Sequence, residues 1–188
     1  MTRLLIMGPP GSGKGTQAAR IADRLGIPAI STGDIFRANI SEGTPLGLEA
    51  KRHVDSGGYV PDSVTNAMLR ERLDADDATH GFLLDGYPRT VAQVEFLDEV
   101  LAEHGAKIDR VIELVVDREE TVQRLLARAR DEGRTDDSED VIRKRQQIYA
   151  EETAPLLRLY DERKLLIRVD GMGEIDEVAD RLAAAIGA

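Results

Sequence analysis

Cysteine is absent from this chain of 188 residues, and aromatic residues make up only 4% of it. Without a thiol the chain can form neither a disulfide nor a cysteine-bound metal site. Its histidines, His53, His80 and His104, lie too far apart to show a metal-ligand spacing, and they are interpreted as surface or packing residues. The sequence thus excludes disulfide-stabilised domains and predicts no zinc.

Excess positive charge is also lacking, because the formal net charge is -10. A surface of this sign does not attract nucleic acid or anionic lipid. No apolar run approaches the length of a membrane span, and no basic-then-apolar leader precedes the first predicted strand. We therefore expect a cytoplasmic protein that binds neither membrane nor nucleic acid. No obvious apolar patch suggests a dimer interface, which favours a monomer.

What the sequence does contain is an alternation of apolar runs with amphipathic segments, which predicts an α/β fold on a parallel sheet. Strands are predicted over residues 4–7, 29–30, 82–84, 110–116 and 165–169. Helices are predicted over residues 15–25, 91–104, 119–130, 139–163 and 175–186. Two segments interrupt the alternation, an all-helical insert over 32–73 and a short polar loop over 131–137.

A glycine-rich loop, Gly8-Pro9-Pro10-Gly11-Ser12-Gly13-Lys14-Gly15-Thr16, joins the first predicted strand to the first helix. Glycines let backbone N–H groups turn inward around phosphate oxygens, and the helix N-terminus adds the positive end of its dipole. Lys14 can then reach the β- and γ-phosphates of a nucleotide. The usual pattern has Ser or Thr directly after the lysine, whereas Gly15 intervenes here. A glycine-rich turn without a ligand is the alternative interpretation.

The third predicted strand ends in Asp85-Gly86-Tyr87-Pro88-Arg89-Thr90. Open parallel sheets bind ligands outside the carboxyl ends of their strands, so Asp85 suits Mg²⁺ held through water. A cap of the turn is the alternative role for this carboxylate. Arg89 is placed to clamp a phosphate with its planar guanidinium, and Gln93 follows it at helical spacing. Arg37, one turn after the second strand, is a candidate for a second clamp.

Arginines are concentrated around the predicted polar loop. Arg124 and Arg128 share one helix face, Arg134 lies in the loop, and Arg145 belongs to the next helix. Arginines on both sides of a loop can converge on one polyanion when the loop folds over it. Alternatively, they are solvated and paired with neighbouring acids. No Ser-His-Asp set or histidine base stands out, and phosphoryl transfer needs none, because it depends on positioning and charge stabilisation.

These segments, together with Ser31-Thr32-Gly33-Asp34-Ile35-Phe36-Arg37 and Arg134-Thr135-Asp136-Asp137, resemble those of adenylate kinases over essentially the whole chain. The Gly15-Thr16 departure is typical of that family. The resemblance implies a P-loop nucleotide kinase fold with a five-stranded parallel sheet flanked by helices. It also implies a core domain over 1–30, 61–126 and 138–188, an AMP-binding domain over 31–60, and a short lid over 127–137. Such a lid lacks the inserted hairpin, sometimes zinc-bound, of longer lids.

The implied reaction is the reversible, Mg²⁺-dependent transfer of the terminal phosphoryl group of ATP to AMP, which gives two ADP. Catalytic roles are implied for Lys14, Arg89, Arg124, Arg134 and Arg145. ATP binding is implied for Gly11, Ser12, Gly13, Lys14, Gly15, Thr16, Arg124, Arg128 and Gly173. AMP binding is implied for Thr32, Arg37, Gly58, Tyr59, Val60, Gly86, Tyr87, Pro88, Arg89, Gln93, Arg134 and Arg145. Thr16 and Asp85 would hold Mg²⁺, through water.

Two other functions fit much of the same pattern. Cytidylate/uridylate kinases share the fold and most of the motifs, but they usually have alanine in place of Thr32 and asparagine in place of Gln93. A glutamine amide can pair with a donor and an acceptor on adenine, although cytosine offers a similar edge. A nucleotide-binding regulatory module without catalysis would be expected to lack a catalytic lysine or arginine, and none is missing here.

Overall fold

The computed structural model describes residues 1–132 and 138–187. Its strands are β1 (Thr2–Met7), β2 (Ala29–Ser31), β3 (Gly81–Asp85), β4 (Arg110–Val115) and β5 (Leu166–Asp170). They form one sheet in the order β2-β3-β1-β4-β5, and every neighbouring pair is parallel. The predicted α/β class with a five-stranded parallel sheet is therefore confirmed, and each strand lies within two residues of its predicted bounds.

The helices before β4 are α1 (Lys14–Leu25), α2 (Thr32–Glu42), α3 (Pro45–Asp55), α4 (Asp62–Leu73) and α5 (Val91–Glu103). Those after β4 are α6 (Arg118–Glu132), α7 (Glu139–Ile148), α8 (Ala154–Glu162) and α9 (Ile175–Ile186). Residues 131 and 132, predicted as the start of a polar loop, belong to α6, which continues to Glu132. In the parts of the chain that are described, no helix is long and apolar enough to cross a membrane.

The core lies on both faces of the sheet, as a parallel sheet covered by helices requires. Leu5 and Leu84 point into one cluster, which α4, α5 and α8 cover. Leu4 and Leu83 point into the opposite cluster, which α1 and α9 cover. Successive strand residues face opposite sides, so the continuous apolar runs bury both faces and hold the carboxyl ends of the strands in register.

The helical insert has a small hydrophobic cluster of its own, formed by Phe36, Ala50, Val60, Val64 and Met68. Its first helix, α2, begins where the Ser31 side chain accepts a hydrogen bond from the backbone of Asp34. Helices α2 and α3 pack closely at Gly47, where a Cβ would lie 2.1 Å from the backbone oxygen of Asn39. The insert therefore packs as a unit beside the carboxyl edge of the sheet.

A wide π-helical turn over Tyr149–Thr153 interrupts the long helix predicted over 139–163. It separates α7 from α8 and leaves Thr153 buried. π-turns inside helices are frequent at functional sites. Both Tyr149 and Thr153 line the cleft described next.

Candidate active site

A cleft of about 780 Å³ opens at the carboxyl ends of β1 and β3. Its floor is the glycine-rich loop after β1, and one wall is the segment after β3. The insert supplies a second wall through α2 and residues 57–60, and α6, α7 and the loop after β5 complete it. The topology therefore brings the segments singled out in the sequence to one place.

Lys14 lies at the centre of the glycine-rich loop. Its Nζ donates hydrogen bonds to the backbone oxygens of Gly8 at 2.7 Å and Pro9 at 3.0 Å. A third contact joins it to Ser12 Oγ at 3.4 Å. All three ammonium donors thus point to loop oxygens, and a bound phosphate would have to replace some of these partners.

Burial lowers the pKa of Lys14 to about 8, and the neighbouring Asp85 carboxylate opposes that shift. The cations Arg89, Arg145 and Arg128 lower it further. Burial also raises the pKa of Asp85, while Lys14 and Arg89 hold that pKa down. The site therefore has a surplus of positive charge around one carboxylate, which is suited to a polyanionic ligand.

The loop is fixed to the helices that carry the arginines. A Cβ at Gly11 would lie 2.4 Å from the backbone oxygen of Thr121 on α6, and the φ of Gly11 is +84°, so only glycine fits there. Gln146 of α7 donates from Nε2 to the Pro10 oxygen at 2.9 Å and to Thr121 Oγ1 at 3.0 Å. One buried amide thus joins the loop, α6 and α7.

The opposite half of the cleft centres on Gly86. Its backbone oxygen accepts hydrogen bonds from Thr32 Oγ1 at 2.9 Å and from Arg89 Nε at 2.7 Å. Arg37, on α2, forms an ion pair with Asp34. Two guanidinium groups from different segments therefore lie along this half, where an acceptor phosphate could bind between them.

Gln93 lies behind the wall and does not line the cleft. Its Oε1 accepts a hydrogen bond from the Arg89 backbone at 2.7 Å, and its Nε2 donates to Asp62 Oδ1 at 2.7 Å. Asp62 Oδ2 accepts from Thr90 Oγ1 at 2.9 Å. In this structure the amide thus supports Arg89, and its contact with adenine stays a prediction.

Arg124, Arg128 and Arg145 converge on the cleft from α6 and α7. Arg124 donates from Nε to Glu120 at 3.0 Å, one helical turn away. Arg134 and the segment 133–137 of the predicted lid lie outside the described residues. Three of the four arginines predicted around the polar loop therefore line the cleft.

Of the remaining predicted residues, most line the cleft and Thr32 lies just behind its wall. The lining includes Gly11, Ser12, Gly13, Gly15, Thr16, Gly58, Tyr59, Val60, Asp85, Tyr87, Pro88 and Gly173. Four residues of the site were not predicted from the sequence: Asp62, Gln146, Tyr149 and Thr153. Asp62 resembles an ordinary acid in a first helical turn, and the others lie within a predicted helix, so their side-chain partners had no local signal.

The two side chains predicted to hold Mg²⁺ lie in the same cleft. Thr16 and Asp85 both line the cleft and offer a hydroxyl and a carboxylate oxygen, the ligand types that Mg²⁺ prefers. Within residues 1–132 and 138–187, no group of three or more His, Cys, Asp or Glu side chains could hold a metal. A cation at Asp85 would take its remaining ligands from phosphate and water, which fits the chemistry of Mg²⁺.

Comparison with known proteins adds evidence of kinship. The family model described as "Adenylate kinase" matches residues 6–165. The chain is 61% identical to the adenylate kinase of Kocuria rhizophila over 99% of both chains. It is 62% identical to that of a Nocardioides species, covering 98% of this chain and 96% of the relative. It is 60% identical to that of Pseudarthrobacter chlorophenolicus, over 100% and 98%.

Proposed function

Because this chain belongs to the adenylate kinase family, we propose that its cleft binds ATP at the glycine-rich loop and AMP between Arg37 and Arg89. The enzyme is a nucleoside monophosphate kinase that forms two ADP from ATP and AMP. In the forward direction the bond between the γ-phosphorus of ATP and its bridging oxygen breaks. A new bond joins that phosphorus to an oxygen of the AMP phosphate.

One observation carries the assignment of the two binding sites. Lys14 and the arginines Arg89, Arg124, Arg128 and Arg145 come from four separate segments and line a single cleft. Phosphoryl transfer has a loose transition state with charge on the equatorial oxygens, so converging cations supply its main stabilisation. The AMP phosphate is largely ionised near neutral pH and needs no general base to activate it.

On the ATP side, the loop amides and Lys14 would hold the β- and γ-phosphates. Arg124 and Arg128 would approach the triphosphate from α6, and Gly173 would lie beside the base. The left-handed φ of +104° at Gly173 favours glycine, and a Cβ there would lie 2.7 Å from Glu177. The absence of a side chain at Gly173 would let the planar base of ATP lie close to the backbone at this end of the cleft.

On the AMP side, Arg37, Arg89 and Arg145 would bracket the acceptor phosphate, with the backbone of residues 58–60 and 86–88 around the nucleoside. Thr32 and Gln93 would select the base from behind the wall. Because Gln93 does not line the cleft, the second N–H and second lone pair of its amide, beyond the bonds to Arg89 and Asp62, would have to face the cleft in order to pair with adenine. That requirement makes base selection the part of the proposal with most to test.

Mg²⁺ would be held by Thr16 and Asp85, in part through water, and would neutralise charge on the β- and γ-phosphates. The chain would divide into a core, an AMP-binding domain over 31–60 and a short lid over 127–137 that closes over the substrates. Arg134 of the lid would complete the ring of arginines on closure, since closing a lid excludes water from the transferred group. The monomeric state stays a prediction.

The test measures ADP formation from ATP with AMP, CMP, UMP or GMP as acceptor, with Mg²⁺ and again with excess chelator. We expect AMP to be the preferred acceptor and the chelator to abolish transfer. A preference for CMP or UMP would reassign the chain to the cytidylate/uridylate kinases. Nucleotide binding without any product would indicate the regulatory module.

A further inference from the structure

The side chain of Tyr59 connects the insert to the rest of the molecule. The role proposed above for this residue, in binding AMP, concerned only its backbone. The residue lies between α3 and α4, at the rim of the cleft. The guanidinium carbon of Arg89 stands 5.0 Å from the centroid of the Tyr59 ring. That is within the distance at which a cation is attracted by the face of an aromatic ring.

The hydroxyl of Tyr59 lies 2.7 Å from Thr153 Oγ1, a residue 94 positions away in the π-turn. Thr153 Oγ1 also donates to the backbone oxygen of Arg89 at 3.0 Å. A threonine hydroxyl has one hydrogen, which the Arg89 oxygen takes, so Tyr59 must be the donor in the other bond. The direction of both hydrogen bonds is therefore fixed.

Three segments thus form a closed ring of contacts: the insert through Tyr59, the segment after β3 through Arg89, and the π-turn through Thr153. The insert also packs closely on α7 nearby, because a Cβ at Gly57 would lie 3.0 Å from Val141 Cγ1. The straight α-helix predicted over 139–163 would have a different side-chain register after residue 149. The π-turn therefore determines where Thr153 meets Tyr59.

We propose that the Tyr59 side chain is a positioning residue, which holds the insert against the core and fixes the Arg89 guanidinium toward the acceptor phosphate. This inference rests on the proposed acceptor site. Arg89 Nε is held by the Gly86 oxygen, and the ring of Tyr59 covers the guanidinium, which leaves its terminal nitrogens to bind phosphate. An arginine fixed in this way loses less side-chain freedom when the ligand binds.

The experiment measures the dissociation constants of AMP and ATP separately by calorimetry, and kcat with both substrates saturating. Tyr59→Phe keeps the ring and removes only the hydrogen bond to Thr153. Tyr59→Leu removes the ring as well. Tyr160→Phe is the matched control, because the buried Tyr160 hydroxyl has no hydrogen-bond partner among the described residues. Thermal unfolding of each variant shows whether it is folded.

We expect Tyr59→Phe to weaken AMP binding by about two- to tenfold, the range of one hydrogen bond. Tyr59→Leu should weaken it by about ten- to thirtyfold, since the cation–π contact is lost too. In both variants ATP binding should stay within about twofold of wild type, as it should for both ligands in Tyr160→Phe. A folded Tyr59→Phe protein that binds AMP normally, or loses AMP and ATP affinity equally, would overturn the inference.

A double-mutant cycle with Thr153→Val separates this contact from a general loss of stability. If the two hydroxyls act through each other, Tyr59→Phe should add little to the AMP affinity lost in Thr153→Val. Fully additive losses would contradict the proposed bond. Failure of the proposed function is a distinct outcome, because wild-type protein would then show no saturable AMP binding at all.

Discussion

The donor and acceptor halves of the cleft are built in different ways. The donor half is mostly one continuous segment, in which Lys14 contacts oxygens no more than six residues away. The acceptor half joins distant segments: Thr32 with Gly86, Asp62 with Gln93, and Tyr59 with Thr153, separated by 54, 31 and 94 residues. Apart from the Gln146 amide, which joins the loop to α6 and α7, the first half is set by local conformation, and the second depends on how the insert docks.

This difference predicts which changes affect which substrate. The glycine-rich loop follows a central strand that is buried on both faces, so its geometry is anchored in the main core. The insert has a small cluster of its own and packs on the main core through Leu69 and Leu73 of α4, while at the cleft its docking uses polar contacts. Substitutions in the acceptor half should therefore alter AMP binding while ATP binding stays nearly unchanged.

The largest effect is expected for Lys14→Met, which removes the cation proposed to serve both the donor site and the transferred group. Turnover should fall by about a hundredfold or more, on the scale of about 3–4 kcal/mol for one lost stabilising donor at a transition state. Steady-state kinetics with both substrates saturating measures this loss. Lys51→Met is the control, because Lys51 is exposed and pairs only with Asp55 among the contacts described. Retention of more than about a tenth of wild-type turnover would exclude the role assigned to Lys14.

Arg89→Ala should have the next largest effect, and it should affect AMP more than ATP. The KM for AMP should rise by about ten- to a hundredfold, as expected for lost charge-assisted hydrogen bonds, and the KM for ATP much less. Arg37→Ala should act in the same direction but less strongly, because Arg37 is more loosely held, with Asp34 as its described ion-pair partner. Titration of each nucleotide at saturating partner tests both.

Arg158→Ala controls for the loss of an exposed arginine, since its pair with Glu162 lies on the surface. If Arg89→Ala raised the KM of AMP and ATP by the same factor, the division of the cleft into two halves would be wrong.

A smaller effect is expected for Thr32→Ala combined with Gln93→Asn. Asparagine is one methylene shorter, so it cannot span from the Arg89 backbone to Asp62. The specificity ratio of AMP to CMP and UMP should fall by about tenfold, within the usual range for changes in a binding pocket. Thr79→Ala with Gln147→Asn gives the same two substitutions at exposed positions. An unchanged ratio would place base selection elsewhere in the cleft.

The same contrast explains what could be predicted from sequence. The strands and the phosphate loop have local signals: buried apolar runs, glycines where φ is positive, and a lysine at fixed spacing. At the π-turn over Tyr149–Thr153 the only local signal is Pro155, which interrupts the helix predicted over 139–163 but does not indicate a π-turn or its contacts. Asp62 and Thr153 matter through partners far along the chain, and one sequence does not reveal such pairs. The state of Gln93 was not predictable for the same reason.

The smallest predicted effect is a pH dependence of ATP binding that arises from the proton on Lys14. It distinguishes the two halves of the cleft, because only the donor half should respond. Burial lowers the pKa of this lysine to about 8 in the protein without nucleotide. A bound polyphosphate favours the charged form and raises that pKa. Between the two pKa values, ATP must therefore bind together with a proton, and its affinity must fall as the pH rises.

The sign and size of the effect follow from this linkage. At about pH 7, well below its pKa, the lysine is mostly charged before and after binding, so the affinity for ATP should change little there. With an unliganded pKa of about 8, the dissociation constant of ATP should rise about threefold between pH 7 and pH 8.3.

Calorimetry in buffers of different ionisation enthalpy should show proton uptake on ATP binding at pH 8.3. Lys14→Met should show none, and AMP binding should not take up this proton. If wild-type protein bound ATP at pH 8.3 without proton uptake, either Lys14 would not titrate near pH 8 or the triphosphate would lie away from its ammonium group.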